Sequence, residues 1–163
     1  MKIIIHDLPA ETAALLDTGD AQVVCADGHY AQCVGCFACW TKTPTECGFK
    51  DRLHKISQEV GRAEDMVVIT KNCYGMFSPA VKNVFDRGIS ATTPLTFFRS
   101  GETHNLLRYG KKGSMIVYAY GDMTEAEEAT MRLLIERNAV NYAYAHWELH
   151  RVASLEEMEG MRV

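Results

Sequence analysis

Four short apolar runs, residues 3–5, 23–25, 66–69 and 115–120, are separated by stretches that carry apolar residues at helical spacing, and this alternation most limits the folds open to the chain. A strand with one wet face alternates apolar and polar residues. A continuous, mostly β-branched run such as Ile3, Ile4 and Ile5 must instead be buried on both faces. Such strands occur where helices cover both sides of a parallel sheet, so the pattern predicts an α/β architecture. A fifth candidate, residues 143–152, is more polar and alternates, which suits a sheet edge.

Helical signals fill the intervals. Asp51 opens a stretch with Leu53, Ile56 and Val60 at helical spacing. Ser78-Pro79 supplies a cap and a first-turn proline ahead of Val81, Val84, Phe85 and Ile89. Thr124 and Glu127 form a Ser/Thr-x-x-Glu capping box before Met131, Leu134 and Ile135. Only about fourteen residues separate the first two strands, so the first helix is short. Residues 91–112 read as a long excursion before the fourth strand, and loops of that length are often functional or disordered. Without a repeat, low-complexity tract or linker, residues 1–163 are expected to form one domain.

A chain of 163 residues with 47% hydrophobic content buries roughly 68–70% of its unfolded surface, so it needs no disulfide for stability. The start, MKIIIHDL, is far short of a secretory apolar region or a membrane span, and a cytoplasmic location is expected. The net charge of −4 contains no long block of either sign, which argues against nucleic acid or an anionic membrane as partner. A small-molecule substrate or electron acceptor is expected instead. His146 and His150 lie in a strand about 13 Å apart, too far to share a metal. With no Ser-His-Asp order and no HExxH motif, hydrolase chemistry is disfavoured.

Four of the six cysteines, Cys33, Cys36, Cys39 and Cys47, fall in the run CVGCFACWTKTPTEC with spacing C-x2-C-x2-C-x7-C. Thiols this dense in a reducing compartment point to redox or metal chemistry rather than to a disulfide framework. Three readings stay open: a 4Fe-4S cluster on the four sulfurs, a zinc site, or free and packing thiols.

The cysteine run followed by FKDRLHKI, then VVITKNCYGMFSPAVKNVFDR, resembles the NADPH-dependent FMN reductase and iron–sulfur flavoprotein branch of the flavodoxin-like superfamily. The resemblance spans roughly residues 20 to 122. It implies a three-layer α/β/α flavodoxin-like fold with a five-stranded parallel sheet of order 2-1-3-4-5, and FMN at the carboxyl ends of the strands beside the switch in order. It also implies an NAD(P)H-dependent flavin oxidoreductase with NAD(P)H as electron donor. No side chain is required as acid or base, because the flavin carries the chemistry.

By the same resemblance, the loop against the flavin ring is Thr70, Lys71, Asn72, Cys73, Tyr74, Gly75 and, after Met76 and Phe77, Ser78. Thr70, Gly75 and Ser78 match the family pattern, while Lys71 and Cys73 replace its proline and tyrosine. Tyr120, Gly121 and Asp122 match the loop on the other side of the ring. Trp40 is a candidate to cover the ring, from its own or a neighbouring subunit, or else an interface or core anchor. Lys82, Asp86 and Arg87 match the family helix, though at their spacing they read physically as helix-surface and ion-pair residues.

The first loop departs from the family. Where a glycine-containing phosphate loop is usual, the chain reads His6-Asp7-Leu8-Pro9-Ala10-Glu11-Thr12. Without glycine the backbone is kept from a close approach, and Asp7 or Glu11 at roughly 5 Å repels a phosphate dianion by about 1–2 kcal/mol per charge pair. Two alternatives therefore stand beside the reductase. One is a relative that keeps the fold, has lost FMN, and serves as a binding or regulatory protein; the other is an iron–sulfur electron carrier. A homodimer or higher homo-oligomer is expected, with Trp40, Phe97 and Phe98 available for an apolar contact.

Overall fold

The computed structural model describes residues 1–99, 101–110 and 112–163. Five strands form one parallel sheet: β1 (Lys2–His6), β2 (Gln22–Cys25), β3 (Asp65–Lys71), β6 (Lys112–Tyr120) and β7 (Tyr144–Val152), in the order β2-β1-β3-β6-β7. Ile4 of β1 sits level with Val23 of β2 and Val67 of β3, and Val67 in turn with Ile116 of β6. The continuous apolar runs thus lie side by side in the sheet. The polar, alternating β7 pairs with β6 alone, at the edge.

Alternate residues face opposite layers. Ile3, Ile5, Met66, Val68, Met115 and Val117 pack against α3 (Ile56–Arg62), α4 (Pro79–Arg87) and α5 (Glu125–Tyr142) in the main core. Ile4, Val67 and Ile69 face the other way, toward Leu8, Met158 and Val163. That second layer is thin. It consists of α1 (Ala10–Ala13), a single turn, and a 3-10 turn at Leu155–Met158. Among the described residues, no helix is long and apolar enough to cross a membrane.

Local chemistry sets the helix ends. The Ser78 hydroxyl accepts from the backbone N–H of Val81 with Pro79 in the first turn, and Thr124 and Glu127 make both bonds of the capping box. The helix expected to open at Asp51 begins five residues later, at Ile56. Asp51 instead spends its carboxylate on the backbone N–H groups of Ala31 and Leu53 and on Arg87, which holds residues 51–55 in turns. Ile89 lies past the end of α4 in a 3-10 turn, Ile89–Ala91.

The excursion at residues 91–112 contains a β-hairpin. β4 (Thr92–Arg99) and β5 (Glu102–Leu107) pair antiparallel in a sheet of their own, with Gly101 at φ +84° in the connection. Thr, Leu and Phe in alternation favour a strand, and Pro94 hides it, since proline cannot donate to a ladder. The ladder slips register between Thr92 and Thr96, on either side of that proline. Arg108 ties the hairpin base to the carbonyls of Ser90 and Thr92, and Arg137 of α5 pairs with Glu102 near its tip.

Lys112, at the start of β6, is buried and donates to the carbonyls of Val60, Gly61 and Ala63 at 2.6–2.8 Å. These are groups that the end of α3 leaves unpaired. Burial lowers the Lys112 pKa to about 8, a cost that the three carbonyls oppose by favouring the charged amine.

Candidate functional site

The strand order reverses between β1 and β3, and the loops that follow β1, β3 and β6 meet at their carboxyl ends, where open α/β sheets bind ligands. Here the loops are laced together by their own polar groups. Both Asp7 carboxylate oxygens lie 3.1 Å from the backbone N of Lys71, and the Tyr120 hydroxyl donates to the Asp7 carbonyl at 3.3 Å. Asn72 bridges the other two loops, its backbone N–H donating to the Tyr120 carbonyl and its side-chain amide to the Asp122 carbonyl at 2.7 Å. Burial and the neighbouring Asp7 raise the Tyr120 pKa, so its hydroxyl stays protonated. His6, beneath them, is buried with Nδ1 unpartnered among the described residues, and burial lowers its pKa.

The candidate ring-binding residues divide by burial. Thr70 is fully buried, its Oγ1 accepting from the Ser78 backbone N–H at 2.9 Å, and Ser78 caps α4, so both shape the loop from beneath. Cys73 and Met76 exchange two backbone hydrogen bonds, closing a tight turn with Tyr74 at φ +54° and Gly75 at φ +78°. A β-carbon on Gly75 would sit 2.7 Å from the Glu127 carbonyl oxygen, so only glycine fits there against α5. The turn holds Tyr74 out in solvent at 86% exposed, next to Lys71 and Asn72. Gly121 and Asp122 are exposed on the adjoining loop, which with Met123, Thr124, Glu127 and Arg151 lines an open cleft. The two candidate ring loops are therefore neighbours.

The cysteine loop lies elsewhere. Tyr30 donates to the Ala80 carbonyl and the Cys33 backbone N–H donates to Asn83, so the chain runs down α4 from its first turn. Cys33, Cys36, Cys39 and Cys47 line a pocket of about 240 Å³ with Phe37, Phe49, Asp86, Arg87 and Ile89, at the far end of that helix. Nine residues at ~1.5 Å each set this pocket about 13 Å along the helix from the Ser78 end. Trp40, in α2 (Ala38–Thr41), stacks on Phe37 at 5.1 Å, with its indole N–H buried and unpartnered among the described residues. It therefore belongs to the cysteine loop and is not seated on residues 70–78.

Among the described residues, no group of three or more His, Cys, Asp or Glu side chains converges into a metal site. The four thiols line the wall of a pocket, two exposed and two half-buried, and the structure gives no support to a 4Fe-4S cluster.

Arg87 corrects the surface reading of α4. Lys82 and Asp86 do pair half-exposed on the helix surface, but the Arg87 side chain is 0% exposed. Its two terminal nitrogens bond both Asp51 oxygens at 2.9 and 2.7 Å and the Ala31 carbonyl at 2.6 Å, and the guanidinium lies over the Phe49 ring. Chiefly through those Arg87 hydrogen bonds, the Asp51 pKa falls to about 2. Sequence reasoning missed this pair, although Arg87 lies three residues after Val84 on the helix face that Val81 and Val84 bury.

A flavin fits this chain in part. The ring loops are adjacent, each with a glycine at positive φ, and Tyr74 is exposed on one of them. The phosphate end does not fit: α1 is one turn, its N-cap is Pro9, which has no N–H, and no side chain caps it. The Lys71 N–H that faces the β1 loop is already taken by the Asp7 carboxylate.

No family profile matches this sequence, and no curated protein does. Solved structures do match its fold. An FMN-dependent NADH-azoreductase from Bacillus anthracis, solved in complex with FMN, aligns at TM-score 0.54 and 13% identity over 96% of this chain and 91% of that one. An NAD(P)H:quinone oxidoreductase from Methanothermobacter marburgensis aligns at 0.56 and 10% over 92% and 84%. An NADPH-quinone reductase from P. pentosaceus aligns at 0.50 and 10% over 96% and 89%. At these identities the likeness establishes the fold: an α/β flavodoxin-like domain with a five-stranded parallel sheet flanked by helices.

Proposed function

We propose that this chain is an NAD(P)H-dependent flavin oxidoreductase that holds its flavin by the ring rather than by the phosphate. The observation that carries the reading is the meeting of the Lys71–Gly75 and Tyr120–Asp122 segments beside the β1/β3 switch, with Asn72 fastening one to the other. The reductases among the fold neighbours support the same reading. When bound, a flavin supplies hydride and electron transfer. The chain's own part is to position it: Tyr74 and Asn72 border the ring, the Gly121 backbone permits close approach, and Arg151 brings positive charge to the cleft. FMN itself, NAD(P)H and a cytoplasmic location belong to this proposal.

A second reading, a relative of the same fold that has lost its flavin and binds a partner instead, is favoured by Asp7 filling the anion position with the chain's own carboxylate. The absorption spectrum of freshly purified protein separates the two. Two visible flavin bands in the purified protein, or binding of added riboflavin read as quenching of its fluorescence, are expected. A colourless protein that binds neither riboflavin nor FMN overturns the reductase reading.

The proposal extends to a homodimer. Leu95 and Phe98 on the hairpin are 64% and 75% exposed, an apolar projection of a kind that marks contact surfaces. Light scattering at micromolar concentration is expected to give twice the 18.2 kDa chain mass, and a monodisperse monomer rejects it.

A further inference from the structure

Cys39 and Cys47 are brought together by a reversal of the chain just after α2. The Thr45 backbone N–H donates to the Cys39 carbonyl at 2.9 Å, and Thr43 closes the turn through two bonds to Glu46. Thr45 itself sits at φ +72°, a conformation β-branched residues rarely adopt, and such strain persists where the surroundings fix it. His54 then clamps Cys47 from behind, accepting from the Cys47 N–H at its carbonyl and meeting the Cys47 carbonyl with Nδ1 at 2.7 Å. Both sulfurs are half-buried on one pocket wall, whereas Cys33 and Cys36 are exposed.

Arg87 lines the same pocket. Its side chain is 0% exposed and its Nε–H has no hydrogen-bond partner among the described residues, while its terminal nitrogens donate one bond to the Ala31 carbonyl and two to Asp51. A buried donor without a partner calls for an explanation. Besides Asp51, the group its charge acts on is the Cys47 sulfur. The rest of the lining is mostly apolar, with Val34, Phe37, Phe49 and Ile89, and includes the Asp86 carboxylate, which is paired with Lys82.

We propose that Cys39 and Cys47 form a dithiol centre that reduces small alkyl hydroperoxides, with Arg87 as the positioning residue beside the attacking sulfur. The Cys47 sulfur attacks the terminal peroxide oxygen: an S–O bond forms, the O–O bond breaks, and the alkoxide leaves with the Cys47 proton as an alcohol. The Cys39 sulfur then attacks the sulfenic acid: the S–S bond forms, the S–O bond breaks, and hydroxide leaves with the Cys39 proton as water. Two thiols lose two electrons and the peroxide gains them. A small-molecule thiol restores the pair. The apolar lining suits an alkyl group better than hydrogen peroxide alone. This activity needs no flavin, so it stands or falls apart from the reductase reading.

The test uses the whole reduced chain, purified with a chelator and treated with one equivalent of tert-butyl hydroperoxide. The expected result is loss of two of the six free thiols, and peptide mapping that joins Cys39 to Cys47. Cys39→Ser should stop at a sulfenic acid on Cys47, captured by dimedone, and Cys47→Ser should slow peroxide consumption at least about tenfold. Arg87→Lys should keep most of the rate, and Arg87→Met, assayed where circular dichroism shows it folded, should lose about tenfold. If that variant does not fold, the two cysteine variants decide. The exposed Cys33 and Cys36 are internal controls: oxidation there first, or spread evenly over all six thiols, overturns the proposal, as does a Cys47→Ser rate equal to that of the unmodified chain.

Discussion

Replacing Arg87 with methionine is expected to lower the stability of the folded chain by about 3–5 kcal/mol, read as a shift of the urea midpoint with unchanged slope. The cause is what remains behind. Asp51 is only 23% exposed and accepts from Arg87, Ala31 and Leu53, so removing the guanidinium leaves a carboxylate short of its strongest partner. The pair also fastens the cysteine loop to α4, since the Ala31 carbonyl takes a bond from Arg87 and its N–H gives one to Asp51. Arg87→Met with Asp51→Asn should recover part of the loss, because no uncompensated charge is then buried. A midpoint unchanged by Arg87→Met would show the pair to be energetically idle.

The same pair gives a pH signature. The folded pKa of Asp51, about 2, lies below its ordinary 3.8, so the protein holds the carboxylate ionised more firmly than the unfolded chain does. That contribution, about 2 kcal/mol, is complete above pH 3.8 and is lost as the pH falls toward 2. In Arg87→Met the acid limb of the stability curve should flatten by about that amount.

The sheet was legible in the sequence because its signals are local. Ile3, Ile4 and Ile5 cannot be half-exposed, the alternation at 143–152 marks an edge, and Thr124 with Glu127 announces a helix start by chemistry confined to one turn. What was hidden depends on contacts between distant segments. Arg87 reads as a surface residue until Asp51, thirty-six positions earlier, is seen to reach it. The same contact draws residues 51–55 out of the helix that Leu53, Ile56 and Val60 suggest. Pro94 masked a strand whose partner lies beyond a glycine turn. In the candidate site, the absence of a phosphate loop was visible from residues 6–12. The bond from the Lys71 N–H that gives the Asp7 charge a structural role as well was not.

That bond sharpens the expected ligand preference. Riboflavin should bind within about tenfold of FMN, whereas a working phosphate site would separate them by more than a hundredfold, about 2.7 kcal/mol. The Asp7 carboxylate already satisfies the Lys71 N–H and adds a negative charge where the phosphate would have to sit. Asp7→Asn keeps an oxygen to accept from Lys71, so the fold should survive while the repulsion disappears. FMN affinity relative to riboflavin should then rise by about 1–2 kcal/mol, the interaction of a dianion with one charge at roughly 5 Å in water. Glu11 is exposed on the single turn of α1, so Glu11→Gln should add little. The gain stops there because residues 7–14 still contain no glycine to bring backbone donors close. Isothermal titration of both flavins against both proteins measures the ratio, and a ratio unchanged by Asp7→Asn would place this carboxylate away from the ligand.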